Sequence, residues 1–198
     1  PAGIPCPWSS RKNSISFCCI ENALPFPIQD SVKPALDLVP FTNNLNQEIL
    51  RVSGLSDGTY ALKIDGLEIG RYAAATLASG VNLAILTNTP QYQQALKVMD
   101  ANERRHSIVT NSLRNIAAVE YLYWPDRSKG SVTLEQIKPI IDKIKDANKN
   151  TPTSYIADFI EVYEKDKPHE AELNRQAEKY LDQMYKLAQP HPHQFILT

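Results

Sequence analysis

The chain has 198 residues, and its 21 basic and 22 acidic side chains give a formal net charge of −1, which favours neither nucleic acid nor an anionic membrane as a partner. A hydrophobic fraction of 42% predicts a packed core and excludes wholesale disorder. The 7 glycines against 14 prolines argue against a glycine-rich phosphate-binding fold, and no apolar stretch approaches the roughly 20 residues that a membrane span requires.

The N-terminal segment, residues 1–22, is predicted to be irregular apart from one strand at Ile15–Ile20. It contains all three cysteines, so Cys6 can bridge either Cys18 or Cys19 and leave one thiol over. A zinc site is disfavoured because no histidine is near and the spacing fits no zinc motif. These first residues lack both a signal-peptide pattern and an initiator Met, so we expect a processed chain or part of a longer product.

Residues 23–89 are predicted to form a small β-rich subdomain. Alternating apolar residues between 48 and 72 predict three strands in an antiparallel meander, and Asp65–Gly66 predicts a two-residue hairpin turn. Such a meander with one apolar face needs a surface to pack against. An Ala-rich helix at residues 73–79 is expected to stop at Gly80, and residues 81–86 read as a buried extended run.

Residues 90–198 are predicted to be mostly helical, which makes the fold class α+β. Thr89 and Pro90 open a long helix that reaches about Tyr121. Further predicted features are a capping box at Thr133 and Gln136, an isoleucine stripe at 137, 140, 141 and 144, a helix from Ser154 with Tyr155, Phe159 and Tyr163 on one side, a helix from Pro168 to Leu187, and a strand at Phe195–Leu197 in an extended tail.

Six segments carry a family likeness through their shared order: Glu21–Ile28, Leu50–Leu55, Gly58–Gly66, Gly80–Ala84, Thr89–Pro90 and Pro190–His193. Together they resemble the C-terminal portion of bacterial secreted SGNH (GDSL-type) serine hydrolases. The resemblance implies a flavodoxin-like α/β/α parent core, a serine from a Gly-Asp-Ser block, an activating Asp-x-x-His pair, and Gly and Asn donors to the oxyanion. It also implies a secreted or periplasmic protein.

The family's catalytic blocks are missing from this sequence. The string from Asp166 to His169 imitates the Asp-x-x-His pair, but it lies far downstream of the position where the family carries that pair. We interpret Asp166 as a helix cap and dipole partner instead. No residue is therefore assigned as catalytic, cofactor-binding or metal-binding.

Three other groups of residues suggest sites, each with a plainer interpretation. His191 and His193 could bind a metal, or belong to an open tail. The polar run from Glu103 to His106 could contact substrate, but solvated helix faces commonly look like this. A sugar-binding platform could form from aromatic and acidic side chains that equally suit packing anchors, namely Glu120, Tyr121, Tyr123, Trp124 and Asp126.

The resulting expectation is a non-catalytic C-terminal segment of an SGNH-type ester hydrolase that completes the fold or the substrate cleft. Its main partner would be the N-terminal catalytic part of the same protein, with an ester or glycan as substrate and no cofactor. The alternatives are a stand-alone carbohydrate- or protein-binding module, and an independent hydrolase that uses Asp166 and His169 with an unrecognised serine.

Overall fold

The computed structural model describes residues 9–11, 14–125 and 132–198. The chain divides into two compact units, the first formed by Pro1–Met99 with Met184–Thr198 and the second by Asp100–Gln183. The first unit contains a β-sheet and the second is helical, so the predicted α+β class is confirmed.

A five-stranded sheet forms the centre of the first unit. Its strand order is β1-β2-β7-β4-β5, every neighbouring pair is antiparallel, and a separate two-stranded ladder joins β3 to β6. The strands are β1 (Ser9–Arg11), β2 (Ser14–Cys19), β3 (Ile49–Leu50), β4 (Thr59–Ile64), β5 (Leu67–Ala73), β6 (Val81–Asn82) and β7 (His193–Leu197).

The hairpin between β4 and β5 turns at the predicted dipeptide. Asp65 has φ 51° and Gly66 has φ 84°, so both central residues take the left-handed conformation that a two-residue hairpin turn requires. The register shifts between Leu62 and Lys63, because an extra residue on β5 forms a bulge there. The predicted hairpin is confirmed.

The predicted three-stranded meander is wrong in its first strand. That strand shortens to β3 and pairs with β6, while β4 takes β7 as its second neighbour. The reason is burial: β7 places Phe195 and Leu197 on the apolar face of the sheet, opposite Ile64 and Leu62. The strand predicted at Phe195–Leu197 is thereby confirmed, and it lies inside the sheet.

The core of the first unit lies on one face of this sheet. Phe17 of β2 stacks on Phe195 of β7 with ring centroids 5.0 Å apart. A short helix after β5 places Leu77 in the same core and stops at Gly80, whose φ of 109° suits only glycine. A Cβ at Gly80 would lie 2.8 Å from Ile49 Cγ2, so this close approach of β3 also requires glycine.

Seven α-helices lie in the described residues, together with short 3₁₀ turns. The predicted long helix is interrupted by a five-residue π-helical segment, Val109–Leu113, and Thr89 caps its start by accepting a hydrogen bond from the Tyr92 amide at 3.2 Å. The helices are α1 (Phe41–Asn44), α2 (Ala74–Ser79), α3 (Pro90–Ile108), α4 (Arg114–Tyr123), α5 (Leu134–Asn148), α6 (Tyr155–Asp166) and α7 (Glu170–Leu187).

The second unit packs α4, α5 and α6 around one apolar cluster. The capping box of Thr133 and Gln136 is present in full, and Ile137 and Ile141 of α5 are completely buried. Of the three aromatic residues predicted on one side of α6, Tyr155 and Phe159 are exposed and Tyr163 is buried. The isoleucines at positions 156 and 160, together with Tyr163, face the cluster.

In residues 9–11, 14–125 and 132–198, no helix combines the length and the hydropathy of a bilayer span.

Candidate functional site

The Asp-x-x-His string lies where α6 passes into a 3₁₀ turn. Asp166 is the last residue of α6, has helical backbone angles and makes no side-chain capping bond, so its interpretation as a helix cap is wrong. Because the backbone continues helically through this residue, no free amide is presented to its carboxylate. Among the described side chains, no hydrogen bond or ion pair joins Asp166 to His169.

The two histidines of the tail lie in different environments. His191 is exposed, whereas His193 is buried in β7 and its Nδ1 lies 2.6 Å from Asp65 Oδ2. The Gln194 amide donates to the other oxygen of Asp65 at 2.9 Å. Asp65 thus links the β4–β5 turn to β7, and within the described ranges no group of three His, Cys, Asp or Glu side chains could hold a metal ion.

Burial works to raise the pKa of Asp65, but the hydrogen bonds from His193 and the Gln194 amide outweigh it and lower that pKa. A lowered carboxyl pKa adds stability that is present above the ordinary Asp value and is lost as the pH falls from that value through the lowered pKa of the folded state. We expect Asp65→Ala to lower the free energy of unfolding at pH 7 by about 2 kcal/mol, since two charge-assisted hydrogen bonds disappear.

Urea denaturation at pH 7 and at pH 3 measures this effect. The loss should be smaller at pH 3, where the wild-type carboxyl is itself becoming protonated. Asp57→Ala is the control, because Asp57 is exposed and no side-chain hydrogen bond joins it to another described residue. Equal losses at the two pH values would contradict the assigned role of Asp65.

The residues of the predicted sugar-binding platform do not share one surface in the structure. Tyr121 is exposed, Tyr123 and Trp124 pack half-buried against the core of the second unit, and Asp126 lies outside the described residues. Glu120 faces the interior, where it accepts a hydrogen bond from the Tyr163 hydroxyl at 3.2 Å. Its carboxylate therefore belongs to a buried network and not to a sugar-binding face.

Lys167 is the cation at the centre of that network. Its side chain is 6% exposed, and its ammonium pairs with Glu120 and, at 2.7 Å, with Glu170. Burial works to lower the pKa of Lys167, but the hydrogen bonds that its ammonium donates to Glu120 and then to Glu170 outweigh it and raise that pKa. A pocket of about 300 Å³ is lined by Lys167 and Glu170 of this network and by Thr133 at the start of α5. The ammonium group of Lys167 is already paired with Glu120 and Glu170.

A second buried network, in the first unit, contains two carboxyl groups and no paired cation among the described residues. Glu21 follows β2, Glu48 precedes β3, and Gln91 occupies the first turn of α3. The Gln91 amide nitrogen donates to Glu21 Oε1 at 2.7 Å and to Glu48 Oε1 at 3.3 Å. These three side chains form what we call the carboxyl-pair site.

Two asparagines, the buried Asn46 and the half-buried Asn82, fix the segment that carries Glu48. Asn46 bonds both the amide and the carbonyl of Phe26, at 2.9 and 3.0 Å. Asn82 accepts from the Glu48 amide at 2.9 Å and donates to the Asn46 carbonyl at 3.0 Å. The Glu48 carbonyl accepts from Leu83 at 2.8 Å, so the backbone on both sides of this carboxyl group is held.

The two carboxyl groups interact strongly. Burial raises the pKa of Glu48 to about 8, with further contributions from the charge of Glu21 and from a hydrogen bond between the two carboxyls. At neutral pH Glu48 therefore keeps a proton. Burial, together with the charges of Glu21 and Glu48, also raises the pKa of the exposed Cys19 thiol, which makes it a poor nucleophile.

The structure establishes the bonding state of two of the three cysteines. Cys18 is disulfide-bonded and Cys19 is a free thiol, while Cys6 lies outside the described residues. Among the alternatives that the sequence left open, a free Cys18 is thereby excluded.

Sequence reasoning missed both buried networks. Gln91 and Glu21 are 70 residues apart, and Gln91 and Glu48 are 43 apart, so no local spacing brings them together. The only signal was a polar residue directly after the Thr89–Pro90 helix start. Lys167 lies inside the Asp-x-x-His string, and nothing in its sequence neighbours predicts its pairing with Glu120, which is 47 residues away.

Comparison with known proteins gives one structural neighbour. The chain is similar to the solved structure of BT4096, a gut microbial diltiazem-metabolizing enzyme, with a TM-score of 0.76 and 27% sequence identity. The alignment covers 97% of this chain and 45% of that one, so the chain spans less than half the length of the enzyme it resembles. No family model and no curated protein sequence matches the chain. The structural neighbour is thus an enzyme, and a role connected with enzyme activity is compatible with the fold.

Proposed function

We propose that this chain is the C-terminal, non-catalytic part of an SGNH-type ester hydrolase, and that it completes the fold beside a catalytic part carrying the serine. The main support is the structural alignment with BT4096. This alignment covers 97% of this chain but only 45% of the BT4096 chain. The ordered segments between Glu21 and His193 that resemble SGNH hydrolases give this proposal its reaction class.

The surface of the first unit supports the same proposal. Of the 14 large apolar side chains that are exposed in the described residues, seven lie between residues 20 and 49. They are Ile20, Phe26, Val32, Leu38, Val39, Leu45 and Ile49, with Leu38 85% exposed. This segment contains only short helical turns, and its apolar side chains are suited to burial against another part of the same protein.

The disulfide of Cys18 supports a secreted or periplasmic location, since such crosslinks persist in oxidising compartments. An extracellular ester hydrolase fits this location. A bound ester would be attacked by the serine of the catalytic part, with this chain shaping the cleft.

A fluorophosphonate probe, which labels activated serines, tests the proposal. The natural gene product that contains these 198 residues should be labelled and should hydrolyse a short-chain aryl ester, whereas the 198-residue chain alone should not. Labelling of the chain alone would contradict the proposal, and so would a natural product that neither reacts with the probe nor extends beyond this chain.

Leu38→Asp, made in the natural product, tests whether the exposed apolar side chains between residues 20 and 49 form the surface that docks against the catalytic part. We expect it to lower esterase activity and melting temperature, by about 5 °C or more, because a charge would be placed in a buried interface. Leu67→Asp is the matched control, since Leu67 is also exposed in the first unit but lies at the hairpin, outside residues 20–49. Equal losses in both variants would contradict the assignment of this surface.

A further inference from the structure

The carboxyl-pair site places two acidic groups around one neutral donor. Gln91 is completely buried, and its amide nitrogen lies 2.7 Å from Glu21 Oε1 and 3.3 Å from Glu48 Oε1, so it donates one hydrogen to each carboxyl group. The other oxygen of each carboxyl group is buried and has no hydrogen-bond partner among the described residues. With one proton on the pair, this place carries one negative charge. Loss of that proton would bury a second charge that no described cation offsets.

The described groups that neighbouring elements place against the pair are uncharged near pH 7. From β2, the thiol of Cys19 faces it, and burial, followed by the charges of the two carboxyl groups, raises the pKa of this thiol, so it stays protonated. His193 lies opposite Cys19 on β7, but its Nδ1 bonds Asp65 instead. From α3, the pair meets the neutral amide of Gln91. The charge at this site is therefore decided by the two carboxyl groups themselves.

The chain between the two carboxyl groups, residues 21–48, has little packing of its own. In this part of the described chain only Pro25 and Asn46 are buried, and the helical turns are short. It is linked to α3 at the carboxyl-pair site and by a hydrogen bond of 3.4 Å from the Ile28 amide to the Tyr92 hydroxyl. Because few apolar contacts hold these residues, their attachment to α3 depends on polar contacts, and local opening should cost less than global unfolding.

We propose that the proton held by Glu21 and Glu48 acts as a latch that keeps residues 21–48 closed against the start of α3. In the open state both carboxyl groups reach water and ionise at the ordinary glutamate value, whereas burial, and then the charge of Glu21, hold the pKa of Glu48 at about 8 in the closed state. Opening therefore releases a proton when the pH lies between these two values. The closed state loses stability as the pH rises through this window, and the loss levels off above it. This latch is independent of the proposed hydrolase function.

Hydrogen exchange of the natural gene product, measured by mass spectrometry in peptides that cover residues 21–48, tests the latch. Glu48→Gln keeps the shape of the side chain and stays uncharged, so this variant should hold the segment closed at every pH. A comparison of wild type and variant at the same pH cancels the intrinsic pH dependence of exchange. The ratio of their exchange rates, wild type over variant, should rise about tenfold or more from about pH 5.5 to about pH 8.

Glu178→Gln on the exposed face of α7 is the matched control, and its ratio to wild type should stay constant over this pH range. Glu21→Gln is an independent second variant and should also weaken the pH dependence, because the remaining carboxyl group has no charged neighbour in the pair. A constant ratio for Glu48→Gln would overturn the proposal. An equal rise in peptides of the second unit would overturn it as well, because the opening would then be global.

Discussion

Lys167→Met should lower the free energy of unfolding of the chain by about 3 kcal/mol. The substitution keeps most of the length and apolar stem of the side chain but removes the ammonium group that pairs with Glu120 and Glu170. Among the described residues, the hydroxyl of Tyr163 would then be the remaining hydrogen-bond partner of the partly buried Glu120. An unpaired buried charge is more costly than the pair was favourable, so the loss should exceed that of any surface ion pair.

Urea denaturation of three variants separates this explanation from a simple loss of packing. Adding Glu120→Gln to Lys167→Met should restore about half of the lost stability, because the uncompensated charge is removed as well. Lys138→Met is the control, since Lys138 pairs with Glu164 and Asp142 on the exposed surface and should cost about 1 kcal/mol or less. A double variant less stable than Lys167→Met would contradict a charge-based effect.

Phe195→Ala should be at least as damaging, at about 4 kcal/mol. Phe195 is 2% exposed, stacks on Phe17 and lies in β7, which pairs with both β2 and β4. Removing the ring leaves a cavity bordered by two strands that have no direct contact with each other in the sheet order. Within the described residues, the sheet offers no further strand that could move in to fill it.

Gln194→Ala provides the control for this variant. Gln194 lies next to Phe195 on the same strand, is exposed, and contacts Asp65 through its backbone amide, which the substitution retains. We expect a loss within about 0.5 kcal/mol. If thermal or urea unfolding shows similar losses for the two variants, β7 is not a packed inner strand, and the strand order described above is wrong.

The features that were predictable from sequence are those in which a few adjacent residues decide the conformation. Asp65–Gly66 specifies its turn because both positions accept positive φ, and Thr133 with Gln136 specifies a helix start through two reciprocal hydrogen bonds. Gly80 ends α2 for a similar local reason. In each case the contacts that decide the local conformation lie within five consecutive residues, although the close approach of Ile49 in β3 also requires glycine at position 80.

The features that were not predictable depend on residues distant in sequence. The alternating apolar residues around β3 predict a half-buried strand, but they do not predict which strand it pairs with. The sequence therefore favours a meander, whereas β3 is short and pairs with β6. On α6, Phe159 and Ile160 both fit a helical stripe, and only the position of the neighbouring helices selects Ile160. The carboxyl-pair site assembles from three separate segments and has no local spacing at all.

The inner position of β7 has a consequence for biosynthesis. Asp65 in the β4–β5 turn and His193 in β7 are 128 residues apart, and at about 5–20 residues per second a ribosome needs roughly 6–26 s to make that interval. Throughout that time β4 and β2 have emerged without the strand that joins them. The nascent sheet thus has two open edges, which makes this stage the one at which a holding chaperone would matter most.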